Sequence, residues 1–317
     1  MRIVVLSTRS LGEKIVEALV GAGEAVVGVA ATPVPAGVSD RMEKVAAKFG
    51  LPFLRVRKAI ADTPEFFDQY AALKPDLNLM GGLRAFLPET LLNYPRYGTV
   101  GWHPSLLPKY AGANSLCWPI IFGENKTANT VFWADRGIDS GPILLQREIE
   151  ISPDDTLASL YNEKVVPGAV EALVEAVRLI RAGTAPRLPQ DLSQYSYYSF
   201  ITPGDALIDW MRPGRQVYNQ IRGTNPNPGA TSNFGDQVIG VFDSEYQPGF
   251  RPEDLEKATT GLLKAGTVIE ITDRGIRVAA PDGSILIKVA GLKGVKMPAR
   301  RAAEELALKI GDKLGNR

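Results

Sequence analysis

The chain of 317 residues contains one cysteine and one histidine. With Cys117 alone, a disulfide within the chain and a multi-cysteine metal site are both excluded, and a reducing compartment is the expectation. An excess of charge of either sign is also lacking. Thirty-six basic and 35 acidic residues leave a formal net charge of +1, so the balance advertises neither nucleic acid nor membrane as a partner. Nor does a long hydrophobic run open the chain. The apolar stretch in Met1-Arg2-Ile3-Val4-Val5-Leu6 is too short for a signal peptide or a membrane span, has no small-residue cleavage site, and reads as the first strand of a cytoplasmic domain. Apolar residues at 45% and charged residues at 22% are ordinary for a globular protein that buries one large core or two modest ones.

What is present, in the first half, is alternation. Short apolar runs at 3–6, 25–31, 77–80 and 99–102 read as strands, and 12–21, 40–49 and 64–73 read as helices. That order is the signature of right-handed βαβ units in an α/β, Rossmann-like, mostly parallel sheet. In such sheets ligands sit at the carboxyl ends of the strands, so residues 81–86 and 103–108 are expected to face one cleft. The first strand-to-helix turn, Ser7-Thr8-Arg9-Ser10-Leu11-Gly12, lacks the glycine spacing of a dinucleotide site, which disfavours a nucleotide-dependent oxidoreductase. Its hydroxyls read as helix caps rather than as a phosphate site.

The sole histidine lies just past the strand at 99–102, in Gly101-Trp102-His103-Pro104-Ser105-Leu106-Leu107-Pro108. Histidine is the side chain whose ordinary pKa allows a change of charge near neutral pH, so any imidazole chemistry falls to His103. Further on, a helix at 116–122 and a strand at 129–133 lead into Ala134-Asp135-Arg136-Gly137-Ile138-Asp139-Ser140-Gly141. If that turn leaves the carboxyl end of a strand next to the histidine's, Asp139 meets His103, fixing its tautomer and favouring its protonated form.

A helix at 156–182, broken near Pro167-Gly168 and stopped by Gly183, turns an apolar face built on Val170, Leu173, Val174, Val177 and Ile180. From about 185 a proline-rich stretch reads as a linker draped over the surface. The pattern changes beyond 203, dividing the chain into domains at 1–202 and 203–317. A helix at 215–222, strands at 237–242, 266–271, 275–279 and 284–290, and a closing helix at 299–314 fit a small OB-like β-barrel. Its mild basic cluster, Lys288, Lys293, Lys296, Arg300 and Arg301, has no interleaved aromatic platform and reads as solvated surface charge.

The run His103-Pro104-Ser105-Leu106-Leu107-Pro108, then Gly112, then Asp135-x-Gly137-x-Asp139-Ser140-Gly141, resembles the signature of folate-dependent formyltransferases. The likeness is greatest to the hydrolase domain of 10-formyltetrahydrofolate dehydrogenase, through Phe132-Trp133-Ala134-Asp135, Leu144-Leu145-Gln146, Pro153-Asp154-Asp155-Thr156, Leu160-Tyr161-Asn162 and residues 185–190. The resemblance implies His103 and Asp139 as the catalytic pair beside the formyl group of 10-formyltetrahydrofolate. It also implies a folate slot with Gly81, Gly82, Leu83, Arg84 and Phe86 on one side and Ala134, Asp135, Gly137 and Ile138 on the other. The family carries an asparagine two residues before the histidine, where this chain has Gly101. Loss of one oxyanion donor can lower turnover by roughly a hundred- to a thousandfold, although the hydrolase domain lacks the asparagine too. If only that donor is missing, Gly101→Asn is expected to raise formyl removal.

The implied activity is removal of the formyl group from 10-formyltetrahydrofolate, by transfer to a small amine or by hydrolysis to formate and tetrahydrofolate, with neither metal nor dinucleotide. Methionyl-tRNA formyltransferase is the alternative within the family, and tRNA ranks below a small acceptor or water. A non-catalytic folate-binding or regulatory protein is the alternative from another class. The acceptor and the oligomeric state have no diagnostic signature in the sequence.

Overall fold

The computed structural model describes residues 1–56, 63–83, 87–249 and 264–315. They form two compact units: Met1–Ser115 with Thr127–Ile149 and Asn162–Tyr198, and Leu116–Lys126 with Glu150–Tyr161 and Ser199–Arg317.

In the first unit the strands are β1 (Arg2–Ser7), β2 (Ala25–Ala31), β3 (Phe53–Arg55), β4 (Leu77–Gly81), β5 (Thr99–His103), a short β6 (Ala111–Gly112), β7 (Lys126–Trp133) and β8 (Ile143–Glu150). All but β6 join one sheet in the order β3-β2-β1-β4-β5-β7-β8. The pairings from β3 to β5 are parallel. Ile3, Val4, Val5 and Leu6 are at most 2% exposed, as a strand covered on both faces requires. Helices start where the sequence offers caps: the Asp40 carboxylate accepts from Met42 N at 2.8 Å, and Thr63 Oγ1 accepts from Phe66 N at 3.3 Å.

The expected caps at the first turn are not made. Thr8 Oγ1 donates to Gly82 O at 2.9 Å and Ser7 Oγ to Gly81 O, so these hydroxyls staple the end of β1 to the end of β4. The reason is orphaned carbonyls: β4 ends at Gly81, and its last acceptors need donors that the sheet no longer supplies. A second correction concerns β7, which runs antiparallel to β5, pairing Trp133 with Val100 and Thr130 with His103. Its carboxyl end therefore lies beside the amino end of β5, away from His103.

The long helix also differs from expectation. A short turn at Leu157–Ser159 passes into π-helix over Leu160–Val165, and Val166–Ala182 is then an uninterrupted α-helix with Pro167 in its first turn. Pro167 needs no N–H there, so it starts the helix instead of breaking it. The wide turn has a partner: Asn129 Nδ2 donates to Val165 O at 3.0 Å, and Asn129 Oδ1 accepts from Trp102 Nε1 at 2.8 Å. The buried face runs through Ala169, Ala172, Leu173, Ala176, Val177 and Ile180, with Val170 and Val174 at its margin.

In the second unit, β10 (Ala230–Phe234), β11 (Gln237–Pro248), β12 (Val268–Thr272), β13 (Gly275–Ala280), β14 (Gly283–Leu292) and β15 (Val295–Pro298) form an antiparallel sheet ordered β10-β11-β14-β13-β12, with β15 on β14; β9 (Tyr197–Tyr198) belongs to the first unit and pairs with β6. Among the described residues the ends of this path do not pair. Val241, Val268, Val278, Ile285 and Ile287 form its core with Val217 and Ile221 of helix Gly214–Thr224. The closing helix is shorter than expected, Ala299–Glu305. Ala307 turns left-handed at φ 50°, and the chain then pairs as an extended segment, with Val268 N donating to Asp312 O and Leu314 N to Gly266 O, both at 2.8 Å.

Candidate active site

His103 ends β5 and is 6% exposed. Its Nε2 lies 2.8 Å from Tyr110 O and its Nδ1 lies 3.3 Å from Asp139 Oδ2. A carbonyl only accepts, so Nε2 carries a proton and the neutral ring presents its Nδ1 lone pair to Asp139; the doubly protonated ring donates to both. Loop 104–110 is tied down around it: Ser105 Oγ donates to Lys109 O, Thr130 Oγ1 to Ser105 O, and Gln146 Nε2 to Leu107 O. The His-Pro-Ser-Leu-Leu-Pro run is thus a shaped loop whose carbonyls are held by β7 and β8.

Asp139 reaches His103 by an unexpected route. Since β7 is antiparallel and ends beside the start of β5, the turn after Trp133 doubles back toward the histidine to bring Asp139 to it. Asp135 Oδ1 accepts from Gly137 N at 2.9 Å and from Ser140 Oγ at 3.0 Å, which curls the turn. Asp139 itself is left-handed at φ 53°. Its Oδ2 accepts from Gly112 N at 2.9 Å as well as facing His103, while its Oδ1 has no bonding partner among the described residues. The pair is therefore a fixed imidazole with one carboxylate oxygen committed and the other open, in a side chain about one-fifth exposed.

The expected folate-slot residues divide as follows. Gly81 ends β4 opposite Trp102, and Gly82 turns left-handed at φ 70°, where an added Cβ would come within 3.9 Å of the Trp102 ring. Leu83 packs half-buried on the cluster that includes Val4, Leu6, Ala30 and Leu91. Arg84 and Phe86 lie outside the described residues. On the other side, Ala134 packs against Leu107, Ala111 and Phe132, and Ile138 offers its carbonyl to Tyr195 Oη at 3.0 Å. The two sides meet through an ion pair between Arg136 and Glu89, the residue that opens the helix after the Gly81 loop. Trp102, 8% exposed and bonded to buried Asn129, belongs to the core.

Gly101 is buried between Met80 and Phe132, its partners on β4 and β5's other neighbour β7. A Cβ there would lie 2.8 Å from Phe132 Cζ and 3.3 Å from Met80 Cε, so the space beside this glycine is already filled by an aromatic ring. Three contributors to the site were not singled out from the sequence: the Tyr110 carbonyl, Gln190 and Tyr195. Backbone carbonyls leave no trace in residue identity, and the other two lie in a stretch whose proline content reads as linker.

The basic cluster of the second unit is largely paired. Lys288 faces Asp243 at 3.1 Å, Arg301 faces Glu305 at 3.0 Å, Arg300 pairs with Asp273 and Glu304, and Lys296 sits 3.7 Å from the Phe242 ring centroid. Among the described residues no group of three or more His, Cys, Asp and Glu is arranged to hold a metal, and no helix is long and apolar enough to cross a membrane.

Residues 1–177 match the formyl transferase family, and residues 200–305 match its C-terminal domain. The chain belongs to the formyl transferase family. Among its relatives, the cytosolic 10-formyltetrahydrofolate dehydrogenase of Xenopus tropicalis is 34% identical over 321 residues, covering 98% of this chain and 35% of that protein. The chain thus spans about a third of the length of the dehydrogenases it matches. The methionyl-tRNA formyltransferase of Ruminiclostridium cellulolyticum is 32% identical over 322 residues, covering 99% of this chain and all of that one. HypX from Aquifex aeolicus, solved in complex with tetrahydrofolic acid, shares the fold at a TM-score of 0.70 and 21% identity, over 99% of this chain and 48% of its own. Members of this family are enzymes that use a formylated tetrahydrofolate.

Proposed function

We propose that this chain takes the formyl group from 10-formyltetrahydrofolate and passes it to water or to a small amine in a cytoplasmic setting. The observation that carries the reading is the His103–Asp139 pair, 3.3 Å apart, with Asp139 Oδ1 left open. Attack of water or an amine on the formyl carbon forms one bond to carbon and puts negative charge on the formyl oxygen. Asp139 Oδ1 takes the proton that the nucleophile sheds and returns it to N10 as the carbon–N10 bond breaks, so the carboxylate ends as it began. His103 has both nitrogens engaged, by Tyr110 O and Asp139, so it acts through charge and by holding the carboxylate; a hydrogen bond from it to the formyl oxygen requires exchange of one partner on binding. The folate lies between the Gly81–Leu83 segment and the turn at 134–139, where exposed glycine backbone and half-buried Leu83 and Ile138 offer polar edges beside apolar faces.

The second reading, transfer to methionyl-tRNA, draws on the end-to-end match with the methionyl-tRNA formyltransferase. Incubating the protein with 10-formyltetrahydrofolate and following tetrahydrofolate, alone, with small amines and with charged initiator tRNA, separates these outcomes. Turnover without an acceptor, lost in His103→Ala, supports hydrolysis. Tight folate binding with no turnover under any condition would replace both readings by a non-catalytic folate-binding protein.

A further inference from the structure

The stretch 186–198 crosses both arms of the His103–Asp139 pair. On the aspartate arm, Gln190 Nε2 donates to Asp139 O at 2.8 Å and to Gly141 O at 2.7 Å, and Tyr195 Oη donates to Ile138 O at 3.0 Å. On the histidine arm, Ser196 Oγ accepts from Tyr110 N at 2.9 Å, the Tyr198 ring stacks 5.6 Å from that of Tyr110, and Tyr197 and Tyr198 pair with Ala111 and Gly112. Tyr110 supplies the carbonyl on His103 Nε2, and Gly112 supplies the N–H on Asp139 Oδ2.

Gln190 is the residue on which this converges. Two carbonyls face its terminal amide, and only the NH2 end can satisfy them, so its orientation is decided by chemistry. Its Oε1 is buried without a partner among the described residues, so the side chain spends its hydrogen bonds on the turn alone. The turn needs such a hold because Asp139 is a non-glycine residue in the left-handed region, a conformation that persists when its surroundings fix it.

We propose that Gln190 is a positioning residue: its amide pins the backbone on either side of Ser140, which keeps the Asp139 carboxylate on His103. The proposal rests on the catalytic reading of that pair, and its test has one readout that does not. Because His103 is the chain's only histidine, a long-range nitrogen–proton spectrum contains a single imidazole, which reports its hydrogen-bonded tautomer without assignment. Gln190→Met keeps length and bulk while removing both donors. In this variant the imidazole signals are expected to move, kcat with 10-formyltetrahydrofolate to fall by roughly ten- to a hundredfold as misplaced groups do, and KM for the folate to change little. Unchanged imidazole signals and unchanged kcat in folded Gln190→Met overturn the proposal. Should that variant fail to fold, Gln190→Ala, which removes the same two donors at a half-buried position, must shift the same imidazole signals, and no shift there overturns the proposal equally. If the unsubstituted protein shows no turnover, the proposed function fails while the imidazole comparison still decides the role of Gln190.

Discussion

Gly101 stands where the resemblance to folate-dependent formyltransferases implies an asparagine, and the neighbouring Phe132 ring bears on whether one could be accommodated. An asparagine at 101 would begin 2.8 Å from Phe132 Cζ, inside the range that real Cβ atoms avoid, so it cannot simply be added. Gly101→Asn alone is therefore expected to destabilise by about 1–3 kcal/mol, as overpacking of a filled core does, and to leave formyl removal no faster. That reverses the expectation drawn from the sequence. Phe132→Ala alone should cost about 3–5 kcal/mol for the cavity it leaves. The double variant should be more stable than the two losses added together, because each change relieves the other. Thermal melts and turnover for all three variants check this, and a faster, undiminished Gly101→Asn would sink it. At Asp139 the expectation is simpler. Asp139→Asn keeps the size but cannot carry the proton, so turnover should fall by about a hundredfold or more with the melting temperature nearly unchanged.

At the scale of elements, the site depends on β6, two residues long, paired with β9. Gly112 in β6 has φ 95°, and a Cβ on it would meet the Tyr197 ring and Tyr198 O at 2.5 Å. Gly112→Ala should cost about 1–3 kcal/mol in backbone strain, part β6 from β9, and remove the N–H from Asp139 Oδ2. The expected outcome is a larger loss in kcat than in thermal stability, read from kinetics and melts on the same preparation. Little of this pairing was legible in the sequence. The central strands were, because Val, Ile and Leu buried on both faces make continuous apolar runs, and so were helices with Asp40 and Thr63 at their starts. β8 was not: its Arg147, Glu148 and Glu150 belong to an edge strand with one face in solvent. β10 was not either, since in Ala230–Phe234 the strand-forming Thr231 and Phe234 are separated by Ser232 and the strand-averse Asn233, and the run is ordered by its pairing with β11. The stretch from about 185 to Tyr195 reads as a linker because the partners of Gln190, Asp139 and Gly141, and the partner of Tyr195, Ile138, are some fifty residues away in sequence and only the fold brings them near.

At the scale of the whole molecule, the division into two units does not follow a single cut in the chain. Leu116–Lys126 and Glu150–Tyr161 belong with the C-terminal unit although they lie between segments of the first unit. Within that unit, helix Cys117–Phe122 packs on helix Gly214–Thr224 so closely that a Cβ on Gly223 would lie 3.1 Å from Cys117 O and 3.2 Å from Ile120 Cβ. Buried Arg222 then holds Asp155 O at 2.8 Å, and Tyr218 donates to Asp154 at 3.0 Å. A chain ending at residue 202 keeps both inserted segments but loses every one of these partners. The single thiol reports the consequence. Cys117 is 1% exposed, and burial pushes its pKa up to about 12, so in the full chain at pH 8 almost none of it is the reactive thiolate. Modification of the folded full chain should therefore wait on opening of the C-terminal unit. In the chain cut at 202 the thiol should return toward its ordinary pKa of about 8.5 and react at the rate of an unfolded peptide. Equal, slow labelling of both chains would show that helix Cys117–Phe122 is buried without its partner helix, and that residues 1–202 stand as a domain by themselves.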